Sequence, residues 1–395
     1  MSERARFRFL REEGTGGLGR GYMVGRDEVA APWLGYARVL LRHDERATQH
    51  ITRAQRALKG APLNLIRHHG LFNPEDADSR EVDAPFVVMD YLDCAPLPDV
   101  QRPGGWSPDA AAALIHQAAS GLGWAASEGL LHHWLTPWKL LLTPLGVVKV
   151  SGVETPWAKP KGSAQTMPIL GNPRYIAPEQ IQGEVQPTSC VFTLGLILYE
   201  LITGHHPFAG ETVIATLFQV LNGDPEPPER LNPDITPALS QITLKALDRD
   251  PARRFQGAGE LALALGEHLG AGAPRFPELE GSVNDALIWA RRELHEGGAA
   301  RVNSLFDLRP ALLHEEPLTG YVWHHVRAEV LERLRSPSAP PAHLLLLALR
   351  LPEALDEMAA LLRGAGVTEA TEGLQGGLRA AAFIHRGHGL RGGEG

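Results

Sequence analysis

The chain has 395 residues, enough for two domains that each bury a core of their own. Its net charge of −8 argues against a nucleic-acid or anionic-lipid partner, and its 44% apolar and 21% charged residues are typical of a folded, soluble protein. Two cysteines, Cys94 and Cys190, are too few for a disulfide framework or a cysteine-rich zinc site. We therefore expect a cytoplasmic protein with no secretory signal and no membrane span.

The first hundred residues contain apolar runs with strand character and a helical stretch between them. Phe7–Leu10, Ala37–Leu41 and Phe86–Met89 predict strands, and Glu45–Lys59 predicts a helix. A glycine-rich segment, Gly14-Thr-Gly-Gly-Leu-Gly19, follows the first strand and fits the pattern G-x-G-x-x-G. Such a segment is either an ordinary hairpin turn or a loop whose backbone amides hold phosphate.

Helical patterns dominate from Pro108 onward. Ser107 is placed to cap a helix, and two further helices are predicted over Val191–Thr203 and Pro237–Leu247. A segment rich in Gly, Ala and Pro then separates these helices from a second helical unit, in which Ser282 is a candidate cap. The predicted organisation is a first domain over 1–268, a linker over 269–280, a helical domain of no recognisable family over 281–386, and a disordered tail over 387–395.

Four more segments follow the glycine-rich segment in a particular order: Gly129–Leu142, Gly171–Glu179, Thr188–Phe208 and Asp250–Phe255. Together the five resemble the glycine loop, catalytic loop, activation-segment end, central helix and C-terminal landmark of the eukaryotic-type Ser/Thr protein kinases of bacteria. The resemblance covers about residues 5–268. It implies an α+β, bilobal protein-kinase-like fold with a small β-rich lobe and a larger helical lobe, followed here by a small all-α domain.

The resemblance also implies a set of charged and metal-binding side chains, and this chain has other residues at those positions. The strand lysine is replaced by Val39 and its glutamate partner, in our alignment, by Ala54. The catalytic aspartate is replaced by Trp134, the magnesium-binding asparagine by Lys139, and the metal-binding aspartate of Asp-Phe-Gly by Gly152. Because phosphoryl transfer depends on charge at these positions, we predict a catalytically degenerate member, a pseudokinase that is not an enzyme and holds no metal.

Residues with a structural task are retained. Glu179 and Arg254 are predicted to form a buried ion pair, and His132 is predicted to pack rather than react. Two tryptophans, Trp134 and Trp138, stand in a loop that is normally polar. We favour the interpretation that they fill the emptied active site, and the alternative is a surface for a partner.

Nucleotide binding stays open at this point. The resemblance implies a candidate nucleotide cleft formed by Gly14, Gly16, Gly17, Gly19, Met89, Tyr91 and Asp93. Gly21 stands where the family places a valine over the adenine, so an apolar cover is missing. We hypothesise that the ammonium of Lys139 takes over the charge of magnesium, so that no cofactor is required but ATP or another nucleotide could bind without Mg.

Three functions fit these residues. The favoured one is a non-catalytic scaffold or allosteric regulator in signalling, whose partner is a protein, such as an active kinase or a signalling protein. The second is an atypical ATP-using enzyme, a kinase or nucleotidyl transferase, that works in the same cleft. The third is an adaptor whose function resides in the C-terminal helical domain.

Overall fold

The computed structural model describes residues 7–16, 19–26, 33–40, 45–79, 82–92, 94–100, 104–155, 172–275 and 282–335, with positions 347, 348, 351 and 354. The described residues fall into two compact units. The first takes its residues from Met1–Arg42, His69–Asp93 and Phe276–Gly395, and the second takes them from His43–His68 and Cys94–Arg275. No helix among the described residues is long and apolar enough to cross a membrane.

A five-stranded sheet forms the core of the first unit, in the order β1-β2-β3-β5-β4. The strands are β1 Phe7–Gly16, β2 Gly19–Arg26, β3 Trp33–Leu40, β4 His68–Phe72 and β5 Phe86–Asp90. β1 pairs with β2, β2 with β3 and β3 with β5, each antiparallel. The predicted strands are confirmed, except that Leu41 lies outside the described residues.

One face of this sheet carries an aromatic cluster. Phe7 packs edge-on against Phe72 and Phe86, with ring centroids 4.6 and 5.8 Å away. Phe9 makes similar contacts with Phe86 and Tyr22. Aromatic pairs of this geometry contribute about 0.5–1.5 kcal/mol each beyond their buried area, so the cluster stabilises the sheet.

Helices dominate the second unit, whose apolar residues form a continuous core. The helices are α1 Glu45–Leu58, α2 Pro108–Ser127, α3 Pro178–Ile181, α4 Pro187–Thr203, α5 Val213–Asn222, α6 Pro228–Leu231, α7 Pro237–Ala246 and α8 Ala258–Leu269. Ser107 caps α2 as predicted, since its Oγ accepts a hydrogen bond from the Ala110 amide. Helix α4 is apolar on nearly all sides because it is the buried centre of this unit.

The candidate site residues of the second unit lie just before and just after strands of a small three-stranded sheet. Its strands are β6 Ala95–Pro96, β7 Leu140–Leu142 and β8 Val148–Val150. The buried amide of Gln117 connects this sheet to α2: its Oε1 accepts from the Val148 amide at 2.9 Å, and its Nε2 donates to the Gly146 carbonyl at 3.0 Å. These bonds fix the turn between β7 and β8 against the helix.

The predicted ion pair between Glu179 and Arg254 is present and buried. Two parallel hydrogen bonds of 2.8 and 2.9 Å join the guanidinium to the carboxylate. Burial alone raises the pKa of Glu179, but hydrogen bonds from Arg254 and Ser189 outweigh it and lower that pKa below its ordinary value. The pair connects the start of α3 to the segment that precedes α8.

Three helices follow the kinase-like part: α9 Val283–His295, α10 Ala299–Leu308 and α11 Glu316–Arg335. Ser282 caps α9 as predicted, because its Oγ accepts from the Asp285 amide while the Asp285 carboxylate accepts from the Ser282 amide. The proposed linker begins with a single helical turn at Gly270–Gly272. Residues 276–281 and the tail over 387–395 lie outside the described residues, so the four-part division of the chain stays a prediction.

Replacing Arg254 with methionine tests how much the ion pair contributes to the stability of the fold. The change leaves the Glu179 carboxylate buried without its counter-charge, and we expect the free energy of unfolding to fall by about 3–5 kcal/mol in urea titrations. Arg249→Met is the matched control, because its ion pair with Asp224 is exposed and contributes about 1 kcal/mol or less. Equal losses in the two variants would contradict the assignment.

Candidate functional site

The glycine-rich segment is a tight hairpin between β1 and β2. Gly14 pairs with Gly21 and Gly16 with Gly19 across the two strands, while Gly17 lies outside the described residues. Gly19 has a φ of +157°, and a Cβ there would lie 1.7 Å from the carbonyl oxygen of Val39. The close approach of β3 therefore requires glycine at this position.

Val39 belongs to the aromatic cluster. It is 2% exposed, and it stands opposite Phe86 on β5, so the two side chains share one face of the sheet. The neighbouring Arg38 is opposite Gly21, on the other face, and its guanidinium lies 5.7 Å from the Tyr36 ring. Among the described residues of β3, no cationic side chain therefore lies on the face of the sheet where the missing lysine would stand.

Tyr36 explains why position 21 is a glycine. A Cβ on Gly21 would lie 1.9 Å from the Tyr36 hydroxyl oxygen, so the phenol ring occupies the space that a side chain at position 21 would need. Tyr36 is opposite both Met23 and Met89 in the sheet. The loss of an apolar residue at position 21 is therefore accompanied by an aromatic ring on the same face, which the sequence alone did not indicate.

The segment after β5 contains the other predicted nucleotide contacts. Met89 is buried and Tyr91 is partly buried, while Asp93 lies outside the described residues. The carboxylate of Asp90 is 2.8 Å from Nε2 of His69 on β4. This pair fixes the end of β5 to the neighbouring strand.

Helix α1 carries no carboxylate at the position where the resemblance expects one. Ala54 is fully buried and packs in the apolar core of the second unit, as our alignment requires for an inward-facing position. The preceding Arg53 points outward and lies next to Gly129, where a Cβ would be 2.4 Å from its Nη2. The helix therefore meets the core through an apolar contact.

His132 is held as a neutral ring, in agreement with the packing role predicted for it. Its Nε2–H donates to the Ser151 carbonyl at 2.9 Å, and its Nδ1 accepts from the Trp134 amide at 3.3 Å. Burial is the main cause that lowers its pKa to about 4, and the charge of Lys139 adds to this effect.

Lys139 and Gly152 lie side by side. The Lys139 carbonyl accepts from the Ser151 amide at 2.9 Å, and a Cβ on Gly152 would lie 3.5 Å from Cδ and 3.6 Å from Cε of Lys139. Gly152 also has a φ of +91°, which favours glycine. The lysine stem thus runs along the place from which the family's metal-binding aspartate would project.

Glu154, the first acidic residue after this segment, is buried and faces His68. Its Oε2 lies 3.8 Å from Nε2 of His68, and both side chains are less than 10% exposed. The buried Lys149 donates instead to the Leu65 carbonyl at 3.2 Å. The described residues contain no group of three or more His, Cys, Asp or Glu side chains arranged to hold a metal ion.

Gln180 supports the catalytic-loop segment, and the sequence analysis missed it. Its side-chain amide donates to the His133 carbonyl at 2.9 Å, while its Oε1 accepts from the Ala177 amide at 3.0 Å. Cys190 replaces the aspartate that usually braces this loop, and its thiol donates to the Pro187 carbonyl of its own helix. A glutamine in a Pro-Glu-Gln sequence gives no signal of such a long-range bond.

The favoured interpretation of the two tryptophans is wrong for Trp138. This side chain is 47% exposed and packs edge-on against Tyr175, with ring centroids 6.2 Å apart, so it fills no buried space. Trp134 is partly buried, and its backbone amide is bonded to His132. Proline at position 137 begins a short helical turn that directs Trp138 outward.

Comparison with known proteins gives consistent matches. The protein kinase domain family matches residues 45–262. The serine/threonine-protein kinase PknB of Mycolicibacterium smegmatis is 31% identical over 249 residues, which is 62% of this chain and 40% of that protein. PknB of Mycobacterium leprae is 30% identical over 213 residues, which is 53% of this chain and 34% of that protein. A probable serine/threonine-protein kinase of Streptomyces coelicolor is 31% identical over 216 residues, 53% of this chain and 32% of that protein.

These matches confirm the predicted fold class and correct one prediction. The chain spans 32–40% of the length of these relatives. The prediction that the chain is not an enzyme is wrong on this comparison, because the relatives are named serine/threonine-protein kinases and so point to an enzyme.

The neutral state of His132 predicts a pH dependence. Its pKa of about 4 in the folded chain lies below the ordinary 6.5, so the unfolded chain binds more protons between these two pH values. The free energy of unfolding should therefore fall as the pH drops below about 6.5, and this histidine contributes about 2 kcal/mol of the fall between pH 7 and pH 5. Urea titrations of His132→Gln should show a fall that is smaller by that amount. His205→Gln, at an exposed position, is the control, and an unchanged pH dependence in His132→Gln would refute the neutral assignment.

Proposed function

This chain belongs to the protein kinase family, and we propose that it acts in signalling as a scaffold or allosteric regulator whose nucleotide site uses Lys139 in place of a metal ion. The observation that carries the proposal is the position of the Lys139 stem along Gly152. Two substitutions occur together there: one removes a metal-binding carboxylate and the other brings in a cation. A single ammonium can neutralise part of the phosphate charge that magnesium neutralises in other members of the family.

Electrostatics support this role for Lys139. The lysine charge contributes to the low pKa of His132, so its ammonium acts on the surroundings of the catalytic-loop segment. No acidic residue occurs between residues 129 and 153, so nothing in this stretch of sequence opposes the approach of a phosphate. A magnesium ion requires oxygen ligands, which are often carboxylates, and neither Lys139 nor Gly152 has a side-chain carboxylate.

The glycine hairpin and the segment after β5, both in the first unit, carry the nucleotide contacts that the family resemblance implies. Backbone amides at Gly14, Gly16 and Gly19 are the phosphate-binding groups, and backbone groups around Met89 and Tyr91 would receive a purine. Tyr36 takes the place of the missing apolar residue at position 21. The proposal therefore includes ATP or another nucleotide as a ligand, held without Mg.

A second candidate is an atypical ATP-using enzyme, a kinase or nucleotidyl transferase. The kinase names of the relatives favour it. In this candidate Lys139 stabilises the charge on the transferred group, because the loop that contains Trp134 supplies no aspartate. A third possibility, an adaptor whose function resides in the helices after residue 281, has no observation in its favour beyond the presence of α9, α10 and α11.

A thermal-shift titration tests nucleotide binding. Saturation with ATP at 100 times its dissociation constant stabilises the folded chain by about 2.7 kcal/mol, and we expect this stabilisation in EDTA as well as in Mg. Lys139→Ala should lose it, whereas Lys59→Ala, which removes an exposed lysine at the end of α1, should keep it. The absence of a shift with ATP, ADP and GTP, with and without Mg, would rule out the nucleotide site.

A radiolabel assay tests the second candidate. That candidate predicts transfer of label from ATP to the chain itself or to generic protein substrates, with at least a tenfold loss in Lys139→Ala, which corresponds to about 1.4 kcal/mol of transition-state stabilisation. Lys59→Ala should transfer at the wild-type rate. Nucleotide binding without any transfer would leave the scaffold role and reject this candidate.

A further inference from the structure

A groove runs along the outer face of helix α1 and ends at the C-terminus of helix α2. We name it the α1 groove. Its polar and charged lining consists of Thr48, Gln49, Thr52, Arg53, Arg56 and Glu128. Thr48, Thr52 and Arg56 follow one another at intervals of four residues, and Gln49 and Arg53 are also four residues apart. The five residues therefore lie on one side of the helix.

The groove has a rigid base. Ile51, Ala54 and Leu58 on the opposite side of α1 are less than 5% exposed, and the last two belong to the apolar core of the second unit. The buried side of α1 therefore packs against the core, while its outer side chains face solvent. Arg53 is also confined at its tip, because its Nη2 lies against Gly129 in the turn after α2.

The charge in the groove is unbalanced. Arg53 and Arg56 are three residues apart on an exposed helical face, and neither has a carboxylate within ion-pair distance in the described part of the chain. Like charges at this spacing destabilise a helix. The charge of Arg53 also adds to burial in lowering the pKa of His50 on the same helix. Such a pair is stabilised when an anion lies between the two guanidinium groups.

We infer that the α1 groove binds a single phosphorylated serine or threonine side chain of a protein partner. Two planar guanidinium groups match the oxygens of a phosphate monoester and form charge-assisted, bidentate hydrogen bonds with it. The hydroxyls of Thr48 and Thr52 and the amide of Gln49 line the same groove and suit the polar backbone around such a residue. The site depends on the proposed scaffold role only in taking a protein as its partner, and it does not involve Lys139.

Glu128 narrows the chemical class of the ligand. This exposed carboxylate stands at one end of the groove and would repel a continuous polyanion such as nucleic acid or an anionic membrane. The net charge of −8 acts in the same direction at long range. One phosphate that is flanked by neutral residues meets less of this repulsion than a polyanion does, and it still contacts both arginines.

Fluorescence anisotropy with a labelled peptide tests the inference on the full chain. The probe is a nine-residue peptide of alanine and glycine with a central phosphothreonine, compared with its unphosphorylated form. We expect the phosphorylated peptide to bind at least tenfold more tightly, which is about 1.4 kcal/mol. Arg53→Ala and Arg56→Ala should each weaken it about tenfold, Arg56→Lys should weaken it less, and Glu128→Gln should strengthen it.

The controls separate this site from non-specific attraction and from the nucleotide site. Lys59→Ala removes one positive charge just beyond the groove and should leave the affinity within about twofold of the wild type. Circular dichroism melts identify any variant that is unfolded, and Arg56 is exposed, so its substitutions leave the core intact. Failure of the phosphopeptide to bind, equal losses in Lys59→Ala and the arginine variants, or tighter binding of a single-stranded oligonucleotide would each overturn the inference. Because the ATP titration uses a different variant, its outcome is independent of this one.

Discussion

The buried ion pair between Glu179 and Arg254 is the interaction on which the helical unit depends. The guanidinium of Arg254 also donates to the carbonyls of Thr188, Asp248 and Arg249, so one side chain joins the starts of α3 and α4 to the segment before α8. Its face stacks on Phe192 of the central helix at 4.8 Å. The whole set of contacts requires the charge, the planar fork and the length of arginine, so a lysine at this position could not make all of them.

Positions at which the family has charged or metal-binding side chains take no part in these bonds, and this chain has other residues there. Val39 has joined an aromatic cluster, Ala54 has joined the apolar core, and Lys139 lies along Gly152. The first two changes exchange a charged pair for apolar packing, which is often neutral or favourable for stability. The third places a positive charge where the family has a neutral asparagine, beside the glycine that stands where the family has an aspartate. The result is a kinase fold that keeps the family's framework but carries other residues at these three positions.

Local signals made part of this structure predictable. Ser107 and Ser282 precede helical patterns and cap them as expected, and the glycine-rich segment is a hairpin because its spacing matches the turn. The Glu179–Arg254 pair was predictable through the family resemblance, although 75 residues separate its partners. The contact of Tyr36 with Gly21 depends on strand register, and the bond from Gln180 to His133 depends on tertiary packing. Neither contact produces a periodic pattern in the sequence. The burial expected for Trp138 was wrong for a similar reason, because the exposure of a side chain depends on tertiary packing.

The proposed nucleotide site depends on the Lys139 ammonium, which would take the place of the metal ion at the phosphates. A crystal structure of the full chain with a non-hydrolysable ATP analogue, grown in EDTA, tests it directly. We expect a bound analogue with Nζ of Lys139 within about 3 Å of a phosphate oxygen, which is the distance of a charge-assisted hydrogen bond. An analogue that binds only after Mg is added, with Lys139 turned away from the phosphates, would show that the lysine does not replace the metal.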